Sequence, residues 1–128
     1  MNFDLINLGG IESKRLNELE TQLNLISNNT INLDRDSLVL QEDNLYFNFK
    51  KERALTPLKI DIKKGALGWR LARAQHETHL KKAIGKTDRP LRILDATAGL
   101  LGDSMIMLAL GHSVTAYEQS KILYTMLN

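Results

Sequence analysis

Hydrophobic residues in the first half of the chain recur with the spacings of strands and of one amphipathic helix. Residues 11–26 predict the helix, because their large apolar residues recur every three or four positions and form a single stripe. The stripe consists of Leu16, Leu19, Leu23 and Ile26. Shorter apolar or alternating runs predict strands over 3–8, 31–33, 37–41, 45–49 and 58–62. The third and fourth of these strands form a hairpin, so this half predicts a small α+β subdomain.

A longer helical pattern follows over residues 66–84. One face of this helix carries Leu67, Leu71, Ala74 and Thr78. Gly85 is suited to end the helix, because glycine adopts a left-handed conformation without steric penalty. Residues 86–90 are mostly polar and finish with a proline, so they predict a linker to the next element.

The last third of the chain predicts a strand, a tight turn, a helix and a second strand. The apolar run 91–94 is typical of a parallel strand that is buried on both faces and ends at Asp95. A helix follows, starting near Asp103 and stopping at Gly111, and a second strand covers 113–118. Such βαβ units bind ligands at the carboxyl ends of their strands.

These patterns predict an α/β protein with three segments. We expect an N-terminal α+β subdomain over 1–64, a helix with its linker over 65–90, and a Rossmann-like unit over 91–128. The first residues carry no basic stretch before an apolar one, so they do not resemble a signal peptide. The sequence contains no cysteine, which is compatible with a reducing compartment, and we expect a cytoplasmic protein without a membrane partner.

The turn after the first strand of this unit favours a methyl donor over a dinucleotide. Dinucleotide sites have a glycine-rich turn directly after the strand, where the pyrophosphate lies against a helix N-terminus. Here Asp95 occupies that place, and only Gly99 and Gly102 follow. A carboxylate repels pyrophosphate but suits the ammonium group of S-adenosylmethionine (SAM). Glu118 ends the second strand, where a carboxylate can accept hydrogen bonds from both ribose hydroxyls.

Positive charge is concentrated in the middle of the chain. Residues 50–92, called the basic segment below, contain thirteen basic and four acidic residues, which gives a net charge of +9. Such clustering is typical of proteins that approach a phosphate backbone, although solvated basic helix faces are also common. The residues that we expect to contact RNA are Arg70, Arg73, Lys81 and Lys82.

Two other features of the 66–84 helix have simpler interpretations. His76 and His79 do not form a His-Glu-x-x-His motif, and no third ligand is evident, so we expect no metal. Trp69 could stack on an RNA base, but the sequence favours a tryptophan in a core or an interface.

The string Asp95-Ala-Thr-Ala-Gly-Leu, with Asp103, Gly111 and Glu118 at matching offsets, resembles the bacterial small-subunit (16S) ribosomal RNA guanine-N2 methyltransferases. The resemblance covers about residues 37–127 and is strongest over 93–118. It departs from the family where Leu101 and Gly102 stand in place of a glycine followed by arginine or glutamine. The resemblance implies a class I methyltransferase that uses SAM as cofactor and small-subunit ribosomal RNA as substrate. The residues expected to bind the cofactor are Asp95, Thr97, Gly99, Gly102, Asp103, Glu118 and Gln119.

The resemblance also implies that this chain is the N-terminal portion of such an enzyme. Enzymes that methylate exocyclic amines resemble one another in an Asp/Asn-Pro-x-Phe/Tyr loop, and neither Pro57 nor Pro90 lies in that context. We therefore expect no catalytic residue in this chain, no activity from it alone, and self-association through exposed sheet edges. A dinucleotide-binding oxidoreductase fragment and a non-catalytic RNA-binding module are the alternatives. We also expect Glu118→Gln to weaken cofactor affinity while leaving folding nearly intact.

Overall fold

The computed structural model describes residues 2–9, 13–42 and 44–128. The described residues form strands β1 (Phe3–Asn7), β2 (Asp36–Gln41), β3 (Asn44–Asn48), β4 (Arg92–Asp95) and β5 (Ser113–Ala116). They also form helices α1 (Lys14–Leu23), α2 (Gly65–Ala72), α3 (Thr78–Ile84), α4 (Gly102–Ala109) and α5 (Lys121–Leu127). Two compact units result, one containing residues 1–60 and 124–128 and the other residues 61–123.

The first unit contains a three-stranded sheet in the order β1-β2-β3. β1 runs parallel to β2, with Leu5 opposite Leu38, and α1 lies between them in the chain. β2 and β3 form the predicted antiparallel hairpin, with Leu38 opposite Phe47. The core of this unit is the aliphatic face of the sheet packed with the apolar stripe of α1. Its most deeply buried side chains are Leu5, Ile6, Leu23, Leu38 and Val39.

Three N-terminal predictions need correction. α1 ends at Leu23 because Asn24 takes a left-handed conformation, and Ile26 beyond it is 88% exposed instead of completing the apolar stripe. The start predicted for this helix, at residues 11 and 12, lies outside the described residues. Residues 31–33 form no strand, and the strand expected over 58–62 is reduced to a bridge between Leu58 and Phe47.

The second unit begins with two short helices where the sequence predicts one long helix. Arg73 has φ −117° and ψ 27°, and Glu77 has φ −74° and ψ 72°, so both leave the helical conformation. A 3-10 turn over Ala74–His76 joins the two helices. The break lets Glu77 meet the side chain of Arg70 in α2, with an Nε–Oε1 distance of 2.8 Å.

β4, α4 and β5 form the predicted βαβ unit, in which β4 pairs parallel to β5. β5 ends at Ala116, so the strand predicted over 113–118 is two residues too long and Glu118 follows the strand instead of ending it. Gly111, with φ +95°, follows the last turn of α4 as expected for a helix stop. Ile106 and Met107 of α4 are buried in the core of this unit. The prediction that β4 is buried on both faces is wrong, since Leu94 is 64% exposed in a described sheet of only two strands.

The contacts group the elements differently from the three segments expected from sequence. The helices of the basic segment fall in the same unit as the βαβ elements, and residues 124–128 fall in the N-terminal unit. Thr125 is buried there and accepts a hydrogen bond from the Gln22 side chain at 3.3 Å. Within the described ranges, no helix combines the length and apolar character needed to cross a membrane.

Candidate functional site

The candidate site lies where β4 ends and the chain turns into α4. Asp95 is half-buried at the carboxyl end of β4, and both its carboxylate oxygens accept hydrogen bonds. One oxygen accepts the Thr97 backbone N–H at 3.1 Å, and the other accepts the hydroxyl of Ser104, which is itself buried in α4. Asp95 therefore fixes the start of the turn and the first turn of α4 relative to β4.

The turn itself contains two residues in left-handed conformations. Gly99 has φ +53°, and Leu101 has φ +61° and precedes the first residue of α4. Glycine takes such angles freely, whereas leucine does so with steric penalty. Leu101 is the position at which the resembled family carries glycine. The displaced glycine noted in the sequence thus leaves a leucine in the conformation that suits glycine.

Glu118 closes the other side of the turn with its carboxylate. Its Oε2 accepts the Gly99 backbone N–H at 2.8 Å, and its Oε1 accepts the Ser120 backbone N–H at 2.6 Å. The Ala98 N–H donates to the Tyr117 carbonyl at 2.9 Å, which adds a backbone bond between the same segments. Two carboxylates therefore hold one loop: Asp95, the last residue of β4, bonds Thr97 and Ser104, and Glu118, two residues after β5, bonds Gly99 between them.

A cleft of about 840 Å³ opens within this unit beside the loop. Asp95, Thr97, Gly102 and Asp103 line it, so the structure brings four of the predicted cofactor residues together. Gly99 and Glu118 bond to each other and are outside the lining. Gln119 is exposed and is also outside the lining. The wall opposite the loop comes from α2 and α3 and contains Arg70, Leu80, Ala83 and Ile84.

Arg70 ties the basic segment to the cleft. Its guanidinium bonds both oxygens of Glu77, at 2.8 and 3.3 Å, and reaches Asp103 Oδ1 at 3.0 Å. The hydrogen bonds that Arg70 donates to Glu77 and then to Asp103 raise the pKa of its guanidinium. The same hydrogen bond from Arg70 lowers the pKa of Glu77. A methyl group at Gly102 would lie 3.3 Å from Arg70 Nη1, so this glycine allows the arginine to approach closely.

The four residues predicted to contact RNA have different surroundings. Arg70 is held by two carboxylates of its own unit, and Lys81 donates to the Gln75 carbonyl at 3.2 Å. Arg73 lies over the Trp69 ring. Lys82 lines a second cleft of about 800 Å³, together with Lys81, Lys86 and Arg89. Their contacts with RNA remain predictions.

Sequence reasoning missed Ser104 and Glu77 as parts of this site. Ser104 follows Asp95 by nine residues and bonds it only because the loop folds back, which no local spacing indicates. The sequence predicts Glu77 within a continuous helix, whereas its bond to Arg70 depends on the break at Arg73–Glu77. Among the described residues, no three His, Cys, Asp or Glu side chains form a group that could hold a metal.

Comparisons with known proteins agree on one family. The family model described as "Putative SAM-dependent methyltransferase" matches residues 18–128. The chain is 45% identical over 75 residues to ribosomal RNA small subunit methyltransferase J of Alcanivorax borkumensis, covering 56% of this chain and 30% of that protein. It is 32% identical over 99 residues to the protein of that name from Nitrosococcus oceani, covering 76% and 39%. The chain thus spans about a third of the length of these relatives.

A solved structure shows a similar fold. It is a SAM-dependent methyltransferase from Neisseria gonorrhoeae, which matches with a TM-score of 0.60 over 97% of this chain and 49% of that one. At 20% identity this likeness concerns the fold alone, and it agrees with a mixed α/β methyltransferase fold. Because the family model matches most of this chain, the chain belongs to the SAM-dependent methyltransferase family.

Proposed function

We propose that the loop from Asp95 to Ser104, together with Glu118, binds SAM in a class I methyltransferase that modifies small-subunit ribosomal RNA. The observation that carries this proposal is the pair of carboxylates, Asp95 at the end of β4 and Glu118 just after β5, that hold one loop beside one cleft. Ligands of open α/β sheets bind at this end of the strands. When bound, SAM supplies an electrophilic methyl group, and the residues of this chain hold and orient it.

The donor and acceptor set of the site suits a cationic nucleoside. Asp95 and Asp103 line the cleft, and their carboxylates favour the positive charge of SAM. A carboxylate offers about four acceptor positions. Glu118 uses two of them for backbone N–H groups, so it retains acceptors for the ribose hydroxyls. The cleft volume of about 840 Å³ lies in the range usual for small-molecule sites.

The alternatives fit these observations less well. A dinucleotide would place its pyrophosphate near Asp95, whose carboxylate repels it and whose hydrogen bonds fix the turn. The family match is to methyltransferases and not to oxidoreductases. A purely RNA-binding module would explain the basic segment but would leave the carboxylate-held loop without a role.

The RNA substrate is proposed from the relatives and the charge distribution. The relatives are named as methyltransferases of small-subunit ribosomal RNA, and the sequence resemblance adds guanine N2 as the target atom. The basic segment, with its net charge of +9, supplies the electrostatic attraction that a phosphate backbone requires. Such a substrate places the proposed reaction in the cytoplasm.

Calorimetric titration with S-adenosylhomocysteine and with NADH, in parallel, tests the proposed cofactor. We expect saturable heat with S-adenosylhomocysteine and none with NADH. Glu118→Gln should weaken the first titration, and Glu18→Gln, the same chemical change at an exposed glutamate of the first unit, serves as the matched control. Heat from NADH alone, with none from S-adenosylhomocysteine, would reverse the choice between the two enzyme classes.

A further inference from the structure

Trp69 is the single tryptophan of the sequence, and its ring is not used by any core of the described structure. It lies in α2 and is 62% exposed. Of the two places that the sequence favours for it, a core or an interface, this exposure excludes the core. Tryptophan is highly buried on average, because transfer of its large apolar surface from water is favourable. The exposed ring is therefore accessible to a binding partner.

The guanidinium of Arg73 lies over one face of this ring. The centre of its guanidinium lies 4.7 Å from the Trp69 ring centroid, one helical turn further along the chain. A cation at this distance over an indole face is attracted by the π-system. Because the guanidinium covers one face, the exposed area of the indole lies on its other face and its edge. The arrangement holds the ring in place and leaves a flat apolar surface open.

The chemistry around the ring is cationic. Lys64 precedes α2, and the backbone of Lys63 packs against Gly68, since a methyl group there would lie 2.6 Å from the Lys63 carbonyl carbon. Throughout the described parts of the chain, no carboxylate comes within ion-pair distance of Lys63, Lys64 or Arg73. Arg70, the next residue after Trp69, lines the cofactor cleft. Along the chain, Trp69 therefore follows two lysines without an ion-pair partner among the described residues and directly precedes a residue that lines the cleft.

We propose that Trp69 and Arg73 form a stacking platform for an unpaired RNA base, with Lys63 and Lys64 beside the adjoining phosphates. Single-stranded nucleic acids are bound by this combination of aromatic ring, arginine and basic surroundings. A protein partner fits less well, because the apolar surface is a single ring with a guanidinium over one face. This inference rests on the proposed RNA substrate and adds a site to it that the Asp95–Ser104 loop does not contain.

The fluorescence of the single tryptophan tests the platform directly. Stacking of a base on an indole quenches its emission, so the wild-type chain is titrated with a short unstructured RNA oligonucleotide. An abasic oligonucleotide of equal length, which offers phosphates without bases, is the matched ligand control. We expect the RNA to quench Trp69 emission in proportion to the bound fraction measured by anisotropy, and the abasic strand to bind without quenching.

Variants separate stacking from charge. Trp69→Ala should weaken binding of labelled RNA by about tenfold, because stacking on an aromatic residue contributes roughly 1–3 kcal/mol per base. Trp69→Phe should recover most of this loss. Lys82→Ala, which removes one charge from α3, should weaken RNA and abasic strand equally. Far-UV circular dichroism checks that each variant is folded, which the exposure of Trp69 favours.

The possible outcomes distinguish failure of the platform from failure of the proposed substrate and of the proposed cofactor. RNA that binds without quenching Trp69, or an abasic strand that quenches it equally, would overturn the platform and leave the proposed RNA substrate standing. Absence of any RNA binding by anisotropy would overturn both the substrate and the platform. Failure of the S-adenosylhomocysteine titration would count against the proposed cofactor site without touching the platform.

Discussion

Replacing Glu118 by glutamine should weaken both the fold of the second unit and its binding of the cofactor. The carboxylate accepts backbone N–H groups of Gly99 and Ser120 at 2.8 and 2.6 Å. A glutamine side chain has one acceptor oxygen, so its NH₂ group would face the second N–H as a donor. The sequence alone led us to expect nearly intact folding, and these two bonds change that expectation.

The magnitude follows from the loss of one charged hydrogen bond and the weakening of the other. Hydrogen bonds to charged groups contribute roughly 1.5–3 kcal/mol each, and neutral ones about 0.5–1.5 kcal/mol. Because Glu118 is only half-buried, water can reach the orphaned N–H, and we expect a decrease of about 2 kcal/mol in the free energy of unfolding. With the usual urea dependence, the unfolding midpoint should fall by about 1 M.

Urea titration followed by the backbone amide resonances of the second unit is the assay, because these resonances report on that unit selectively. Asp103→Asn is the matched control. It removes an acceptor from the same loop, but the Asp103 side chain is 60% exposed and bonds only Arg70, so the change should stay below about 1 kcal/mol. Equal unfolding midpoints for Glu118→Gln and the wild type would refute the role of Glu118 in holding the loop. The affinity of the folded Glu118→Gln variant for the cofactor should fall about tenfold to a hundredfold.

Three further predictions follow from separate features. Gly68→Ala should destabilise the second unit by about 1–3 kcal/mol in the same assay, because its methyl group would lie 2.6 Å from backbone of Lys63; an unchanged midpoint would contradict this contact. Glu77→Gln should flatten the acid side of the profile of unfolding free energy against pH. The hydrogen bond from Arg70 lowers the pKa of Glu77 from 4.5. The contribution of Glu77 to stability is therefore present above pH 4.5 and disappears as the pH falls through the lowered pKa. Urea midpoints measured from about pH 6 to about pH 3 decide this, and identical profiles for variant and wild type would count against it. Sedimentation at several concentrations should show self-association that Leu94→Lys reduces, since Leu94 is 64% exposed on β4. A wild-type chain that stays monomeric at all concentrations would contradict this prediction.

The sequence predicts the βαβ unit well because its signals are local. An apolar run ending in Asp95, a helix stopped by Gly111 and a second strand each depend on neighbouring residues, and the structure confirms their order and their parallel pairing. The hairpin of β2 and β3 is confirmed for the same reason. Its alternating pattern and polar turn lie within a short stretch of chain.

The other features of the fold and of the candidate site depend on contacts between residues that are distant in the chain. Hydrophobic periodicity does not report such contacts. The helix predicted over 66–84 breaks at Arg73, where Arg70 and Glu77 form an ion pair across the gap. The charge of Arg70 predicts an RNA contact, and the structure shows in addition a bond to Asp103, thirty-three residues later in the chain. Cofactor binding by the seven residues remains a prediction. Four of them line the cleft, and two others, Gly99 and Glu118, bond to each other beside it.

The central claim is that the Asp95–Ser104 loop and Glu118 bind the methyl donor. Backbone amide resonances of the isotopically labelled chain, followed by NMR during titration with S-adenosylhomocysteine, test it most directly. We predict saturable shifts concentrated at Thr97, Gly99 and Gly102, with one dissociation constant and with no response to NADH. Amides of this loop that stay unshifted at saturating S-adenosylhomocysteine, or that shift with NADH instead, would contradict the claim.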